Sequence, residues 1–303
     1  MWFAFSLAAL ICWSGSDLFS KIGCADPNDR YSHLKMIMAV GLVMGLHALF
    51  EISLGKAVIS RDIIIKYLPV SALYILSMGV GYLGLRYIEL SISSPICNSS
   101  GAIVAILSLA AYGISDEIPP AALLAVALVC AGVILLGFVE ATEDEELRLK
   151  RQEEGNYQYA KSFLAIAIPL IYCLLDALGT FADSIILETI DENSANAAYE
   201  LTFFTCALIA AFYVLVVKKQ KLTFKEEAPK YTAAVCETAG QYFYIHALAD
   251  SAHVAFAAPL ISAYCMASVV WSRIFLKEKL SKKHYAAIAI VICGIIILGV
   301  LDI

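Results

Sequence analysis

Charge is scarce in this sequence: only 16% of its 303 residues are Asp, Glu, Lys or Arg. The motifs by which many soluble enzymes are recognised are missing as well. There is no GxxxxGK[ST] phosphate loop, which argues against direct use of ATP. The five histidines include no HExxH pair, so the usual signature of a metal-dependent hydrolase is absent. An intramembrane enzyme would need such a cluster, or a nucleophile beside a base. Nine cysteines (Cys12, Cys24, Cys97, Cys130, Cys173, Cys206, Cys236, Cys265, Cys293) lie scattered in apolar stretches without a CxxC spacing. They read as small buried residues, and neither a metal site, a cofactor nor a disulfide framework is indicated. A basic stripe is lacking, so nucleic acid is not an expected partner. The longest polar segment is about 22 residues, too short for the soluble signalling domain that a sensor or scaffold would carry.

What the chain has is apolar surface. Hydrophobic residues make up 61% of it, and its mean hydropathy is +0.79. A soluble domain of this length could not bury that much, so the expected solvent is lipid. Ten runs near the length of a membrane-crossing helix lie at 2–22, 34–54, 67–88, 93–114, 120–139, 162–187, 195–217, 230–249, 253–276 and 284–301. They are continuously apolar instead of alternating, which excludes barrel strands. The first lacks the basic flank of a signal peptide and is kept as a helix.

The runs fall into two sets of five. Glu117 precedes Gly132 and Gly137 as Glu278 precedes Gly294 and Gly299, at offsets of 161 and 162 residues. The expected fold is therefore an all-α polytopic membrane protein, ten transmembrane helices in two repeats. These are residues 1–139 and 162–303, joined by a charged linker at 140–161. Five is odd, so the second set crosses in the opposite sense and the repeats are inverted, a layout that places a site between the halves. Lysine and arginine number 18 in and beside the odd-numbered connections and three in the even-numbered ones. That bias puts the odd loops in the cytoplasm and both termini outside, for a multi-pass protein of the plasma (inner) membrane.

Trp13-Ser-Gly-Ser-Asp-Leu-Phe-Ser-Lys21 in the first run resembles the EamA-type members of the drug/metabolite transporter superfamily, as does Pro259-Leu260 with the later Leu276-Lys277-Glu278 in the ninth. The resemblance extends over the whole chain in helix number and repeat length. Lys277 replaces the common glycine before Glu278, and Gly101 stands where a proline matching Pro259 is expected. The resemblance implies carriage of a small metabolite and both termini in the cytoplasm, opposite to the charge bias. The family is too broad for the resemblance to name the solute.

Asp176 lies mid-run in the sixth span, where a charged carboxyl costs several kcal/mol, so it must face a cavity, pair, or stay protonated. Each of these makes it a candidate proton or cation site. Asp17 lies 159 residues earlier, the offset that also sets Trp13 opposite Tyr172. Lys21, four residues beyond Asp17, leaves open a local ion pair at the interface. Glu237 sits in the eighth run with no cation at helical spacing. Glu200, nearer a span end, reads as a solvated anchor. Trp13, Tyr172, Tyr242, Tyr264 and Trp271 are candidate pocket walls for a planar or quaternary-ammonium solute, although aromatics also pack helices. Gly41-Leu-Val-Met-Gly45 is a GxxxG packing face. Pro259 is a candidate kink. Glu117 and Glu278 read as interfacial anchors, and His246 and His253 as satisfied loop residues.

These residues point to a secondary transporter working by alternating access on an amino acid, amine or similar solute, coupled to protons. The alternatives are an exchanger of anionic, nucleotide-sugar-like metabolites, or a non-transporting scaffold or sensor. The expected partners are the bilayer and the solute, and the expected state is a monomer or weak homodimer.

Overall fold

The computed structural model describes residues 1–26, 29–88, 90–113, 119–142, 164–277 and 280–301. Within them lie helices α1 (Trp2–Cys24), α2 (Ser32–Ser53), α3 (Arg61–Tyr87), α4 (Leu90–Asn98), α5 (Ser100–Tyr112), α6 (Pro120–Ala141), α7 (Leu164–Ile186) and α8 (Glu192–Ala211). The last runs on as a π-helical turn, Phe212–Val217. There follow α9 (Phe224–Leu248), α10 (Val254–Ser262), α11 (Tyr264–Phe275) and α12 (Lys282–Leu301). α4 with α5, and α10 with α11, each form one interrupted span, so twelve helices make ten spans. Eight of these spans are long and apolar enough to cross a bilayer by length and composition alone. The chain is an all-α polytopic membrane protein. Glu117, Glu278 and the linker beyond Thr142 lie outside the described residues.

Two spans start earlier than the apolar runs indicated, and for one reason. α3 opens at Arg61 and α9 at Phe224, six residues ahead in each case, because their first turns carry the charges that end an apolar run. Ser60 caps α3 by accepting the Ile63 N–H at 3.2 Å, and Asp62 sits in its first turn, as Glu226 and Glu227 sit in that of α9. Acidic residues there complement the positive end of the helix dipole.

The interruptions in spans four and nine also share a cause. α4 stops at Ser99, four residues after Pro95, and α10 stops at Ala263, four residues after Pro259. A proline contributes no N–H to the carbonyl one turn back, and its ring crowds that carbonyl. Each span then tightens, with Ser99 N–H on the Ile96 carbonyl and Met266 N–H on the Ala263 carbonyl. The proline matching Pro259 is therefore Pro95, and the expectation that Gly101 takes its place is corrected. Gly101 serves close packing instead. A side chain there would run into Ser262 and the Ala258 carbonyl, so its bareness lets α5 lie against α10.

The spans pack reciprocally. α1 lies along α9 as α3 lies along α7, and α2 meets α9 as α3 meets α8. The spans α2 and α8, α6 and α12, and the two interrupted spans pair with one another. Exchanging the halves maps this set of pairs onto itself. Small residues set the closest approaches. A side chain on Gly41 would meet Phe203 and Ala207, and one on Gly45 would meet Phe204, which is the GxxxG face expected of α2. At the far side of the bundle, a methyl on Gly132 would press on Val291 and the Ala287 carbonyl, and one on Gly294 would press on Val129 and the Ala125 carbonyl.

Because backbone as well as a side chain blocks both sites, Gly132→Val and Gly294→Val should each destabilise the purified protein by about 1–3 kcal/mol, the usual cost of overpacking. Thermal unfolding in detergent checks this, and unchanged melting would show that α6 and α12 are not held at this distance.

Candidate functional site

The halves leave a cavity between them, of about 940 Å³ of space not filled by atoms, its open side included. That is within the usual range for small-molecule sites. Its walls come from α1, α3, both interrupted spans, α7, α8 and α9. Six of the eight candidate site side chains meet here: Trp13, Asp17, Tyr172, Asp176, Glu237 and Tyr264 all line it.

The repeat places them. Trp13 is packed on Gly240, and Tyr172 on Gly81, where an added methyl would lie 2.9 Å from the tyrosine ring. Trp13 and Tyr172 are 159 residues apart, and so are Gly81 and Gly240, Asp17 and Asp176, and Tyr82 and Gln241. One bare glycine in each half thus lets an aromatic ring lie flush with the opposing helix, and an aspartate follows one turn later. Each aspartate is answered by serine hydroxyls of an interrupted span. Asp17 accepts from Ser94 at 2.5 Å and from Ser268 at 2.8 Å, and Asp176 accepts from Ser100 at 2.7 Å. Ser100 and Ser268 both follow a helix break, so the breaks bring hydroxyl donors to the carboxyls. Glu237 accepts from Ser16 at 2.6 Å. The residue 159 positions before Glu237 is Met78, so this third carboxyl has no twin.

Three further polar atoms in the walls lack a partner: Ser20 Oγ, Tyr82 OH and Gln241 Nε2 are buried without a hydrogen bond. Buried orphans of this kind normally have a ligand or water to satisfy them. Sequence reasoning misses all three, although Gln241 follows Glu237 by one helical turn.

Other expectations are corrected. Tyr242 does not reach the cavity. Its ring lies beside His246 at 4.4 Å and His47 at 5.8 Å, because five residues beyond Glu237 is well off the face that Glu237, Gln241 and Tyr244 share. Tyr244 takes the place expected of it. Trp271 donates to Ser14 at 3.2 Å and stands outside the lining. Glu200 is not a solvated anchor: it is fully buried, bonded to His47 Nδ1 at 2.9 Å and to Asn196 at 3.1 Å. The local pair of Asp17 with Lys21 gives way to longer reach, since Lys21 Nζ donates to the Leu85 and Ile88 carbonyls at 2.8 and 2.7 Å. These carbonyls end α3, at the negative pole of its dipole.

Each end of the cavity is flanked by polar contacts, of different kinds. Toward the odd-numbered loops, Lys35 pairs with Asp29 at 2.9 Å and with Glu227 at 3.3 Å, and Lys230 pairs with Glu227 at 3.1 Å. The Lys35–Glu227 pair, with Lys230 at 3.9 Å from Asp29, ties the two halves together. Toward the even-numbered loops stand Tyr67, Tyr74, Thr180 and Asp183.

Apolar spans in two reciprocal sets thus hold a polar chamber where the sets meet. The EamA-like transporter family matches residues 163–300, so the second half of the chain is similar to that family of transporters. A solved protein described only as "Crystal structure of protein" superposes with a TM-score of 0.67 at 12% identity, over 99% of this chain and 96% of that one. At that identity the likeness concerns the fold alone, which it extends over both halves. No curated protein matches the sequence.

If the orphaned groups receive the solute, Gln241→Leu and Tyr82→Phe should each weaken its binding about tenfold, near the worth of one hydrogen bond, with melting of the empty protein unchanged. Ligand-induced thermal shift across a solute panel reads this, and shifts equal to wild type in both variants would remove these groups from the site.

Proposed function

We propose that this protein is an EamA-like secondary active transporter that carries a small organic solute with an amino or quaternary-ammonium group, coupled to protons. The observation that supports this most is the lining of the cavity: three carboxyls and the rings of Trp13, Tyr172 and Tyr264, with no lysine, arginine or histidine among the described residues that form it. A unit positive charge about 4 Å from one carboxylate gains on the order of 4 kcal/mol at the effective dielectric of a partly wet protein site. Stacking of the cation on an aromatic face adds roughly 0.5–2 kcal/mol. An anion would gain neither. The buried lysines beyond the lining are already engaged, Lys21 by the carbonyls that end α3, Lys35 by Asp29 and Lys230 by Glu227.

Transport follows by alternating access. The halves, residues 1–139 and 162–303, act as inverted repeats that rock about the central site. Opening toward the odd-numbered loops requires Lys35 to part from Glu227 and Lys230 from Asp29, because these pairs bridge the halves there. Opening toward the other face requires the tyrosine contacts to part. The membrane is the plasma (inner) membrane, with the odd loops cytoplasmic and both termini outside, in keeping with the 18-to-three distribution of basic residues.

Screening the purified protein against amines, amino acids, choline and sugar phosphates at neutral pH tests the charge of the solute. Stabilisation by amines or choline, abolished in Asp176→Asn, is expected; stabilisation by sugar phosphates alone would reverse the reading. Orientation is checked with an impermeant thiol reagent on intact cells expressing otherwise cysteine-free protein. Gly55→Cys, in an exposed even loop, should label, and Lys219→Cys, in an exposed odd loop, should not. The opposite pattern would place the termini in the cytoplasm.

A further inference from the structure

Asp183 is a second buried acid on α7, and the cavity does not use it directly. It is completely buried and has no ion-pair partner among the described residues. It accepts from Tyr67 OH at 2.6 Å and from Tyr74 OH at 3.2 Å. Tyr74 OH in turn lies 2.5 Å from Tyr244 OH, which donates to Thr180 at 2.7 Å. Tyr74, Tyr244 and Thr180 line the cavity, whereas Asp183 and Tyr67 stand behind them. On α7, Asp176, Thr180 and Asp183 follow at intervals of four and three residues, so all three share one helical face. A hydrogen-bonded chain therefore leads out of the solute chamber to one isolated carboxyl.

The neighbourhood of that carboxyl is all hydroxyl and carboxyl. α3 presents Tyr67 and Tyr74, α8 presents Tyr199, α9 presents Tyr244, and α7 itself carries Asp176 and Thr180. From α5, Tyr112 approaches Ser184 and Glu188 on the outer side. The repeat does not reproduce this arrangement. The position 159 residues before Asp183 is Cys24, and the matching end of the cavity is flanked by the ion pairs of Lys35 and Lys230.

We propose that Asp183 is the residue that carries the coupling proton, with Tyr74 and Tyr244 as the relay between it and the solute chamber. The proposal rests on the reading of the protein as a proton-coupled carrier of cationic solutes. With Asp183 ionised, Tyr244 turns its proton from Thr180 to Tyr74, and Tyr74 donates to the carboxylate. A proton arriving on the Tyr244 oxygen from water in the chamber displaces that tyrosine's own proton to Tyr74, whose proton passes to Asp183. Both phenols end with one proton each, and the carboxyl is neutral. The reverse sequence returns the proton when the chamber faces the other side. A cationic solute held by Asp176 favours the ionised form of Asp183, two helical turns along the same face, and a neutral Asp183 weakens the field that holds the cation. Occupancy by one favours departure of the other, so the arrangement exchanges solute for proton.

Proteoliposomes containing the full chain test this with labelled choline as the probe. With the lumen acidic, wild-type protein should accumulate choline against its gradient, and at equal pH it should catalyse choline counterflow. Asp183→Asn, which keeps the shape of the side chain, should retain counterflow within about twofold while losing accumulation. Tyr67→Phe, a positioning variant outside the chamber, should retain both but move the pH of half-maximal accumulation by about one unit, the loss of one hydrogen bond to the carboxyl. Melting temperatures establish that the variants fold. If Asp183→Asn does not fold, an unmoved pH profile in Tyr67→Phe overturns the proposal by itself. Accumulation in Asp183→Asn equal to wild type overturns the role of Asp183 and leaves the carrier reading intact. Loss of counterflow and accumulation together in a folded Asp183→Asn also overturns it. Wild-type counterflow without pH-driven accumulation rejects proton coupling altogether, and absence of wild-type choline counterflow rejects the cationic-solute reading with everything built on it.

Discussion

A carboxyl group among membrane-spanning helices is costly unless something nearby answers it, and here the answer is supplied by hydroxyl groups. Asp17 is met by Ser94 and Ser268, Asp176 by Ser100, Glu237 by Ser16, and Asp183 by Tyr67 and Tyr74. A hydroxyl satisfies a carboxyl without cancelling its charge. A lysine would have removed the attraction for a cation that these acids offer; a serine leaves it in place. The surrounding helices serve to deliver these donors. Pro95 and Pro259 stop their helices four residues on, and those stops bring the serines of α5 and α11 to the aspartates of α7 and α1.

The repeat accounts for the common parts of the site, and its exceptions show where direction enters. Aromatic, aspartate and facing glycine recur at one offset in both halves. A carrier whose halves exchange roles needs such shared groups, because its solute must be held equally well from either side. Glu237, Asp183 and the buried lysines have no equivalents. The odd-loop end is held by ions that bridge the halves, the even-loop end by phenols and a carboxyl, so the two ends differ in chemistry even though the backbones correspond.

Much of this is legible in the sequence because lipid imposes simple rules on it. Helix number and the placement of Trp13, Asp17, Tyr172, Asp176 and Glu237 follow from apolar run length and one recurring offset. Tyr264 also faces the chamber. Other features are hidden for physical reasons. The early starts of α3 and α9 lie in charged first turns, which a search for apolar runs discards. The breaks at Ser99 and Ala263 escape it too, since a proline inside an apolar run marks a disturbance without telling how the chain rejoins. Tyr242 and Tyr244 are distinguished only by helical phase, and phase needs a fixed reference face that the sequence does not mark. Glu200 and His47 are 153 residues apart, so their pairing depends on α2 meeting α8. Asp183 does carry a local signal, its spacing from Asp176 and Thr180, but the tyrosines that give the spacing its meaning come from other helices.

The transport cycle requires that the solute pass through the chamber between the halves. Cys97 lines that chamber, and a variant retaining it as the sole cysteine offers the most direct measurement: choline flux in proteoliposomes before and after treatment with a small thiol reagent, with and without excess choline during the treatment. Passage through the chamber predicts that modification of Cys97 stops flux and that choline slows the modification. Complete modification with undiminished flux would contradict it.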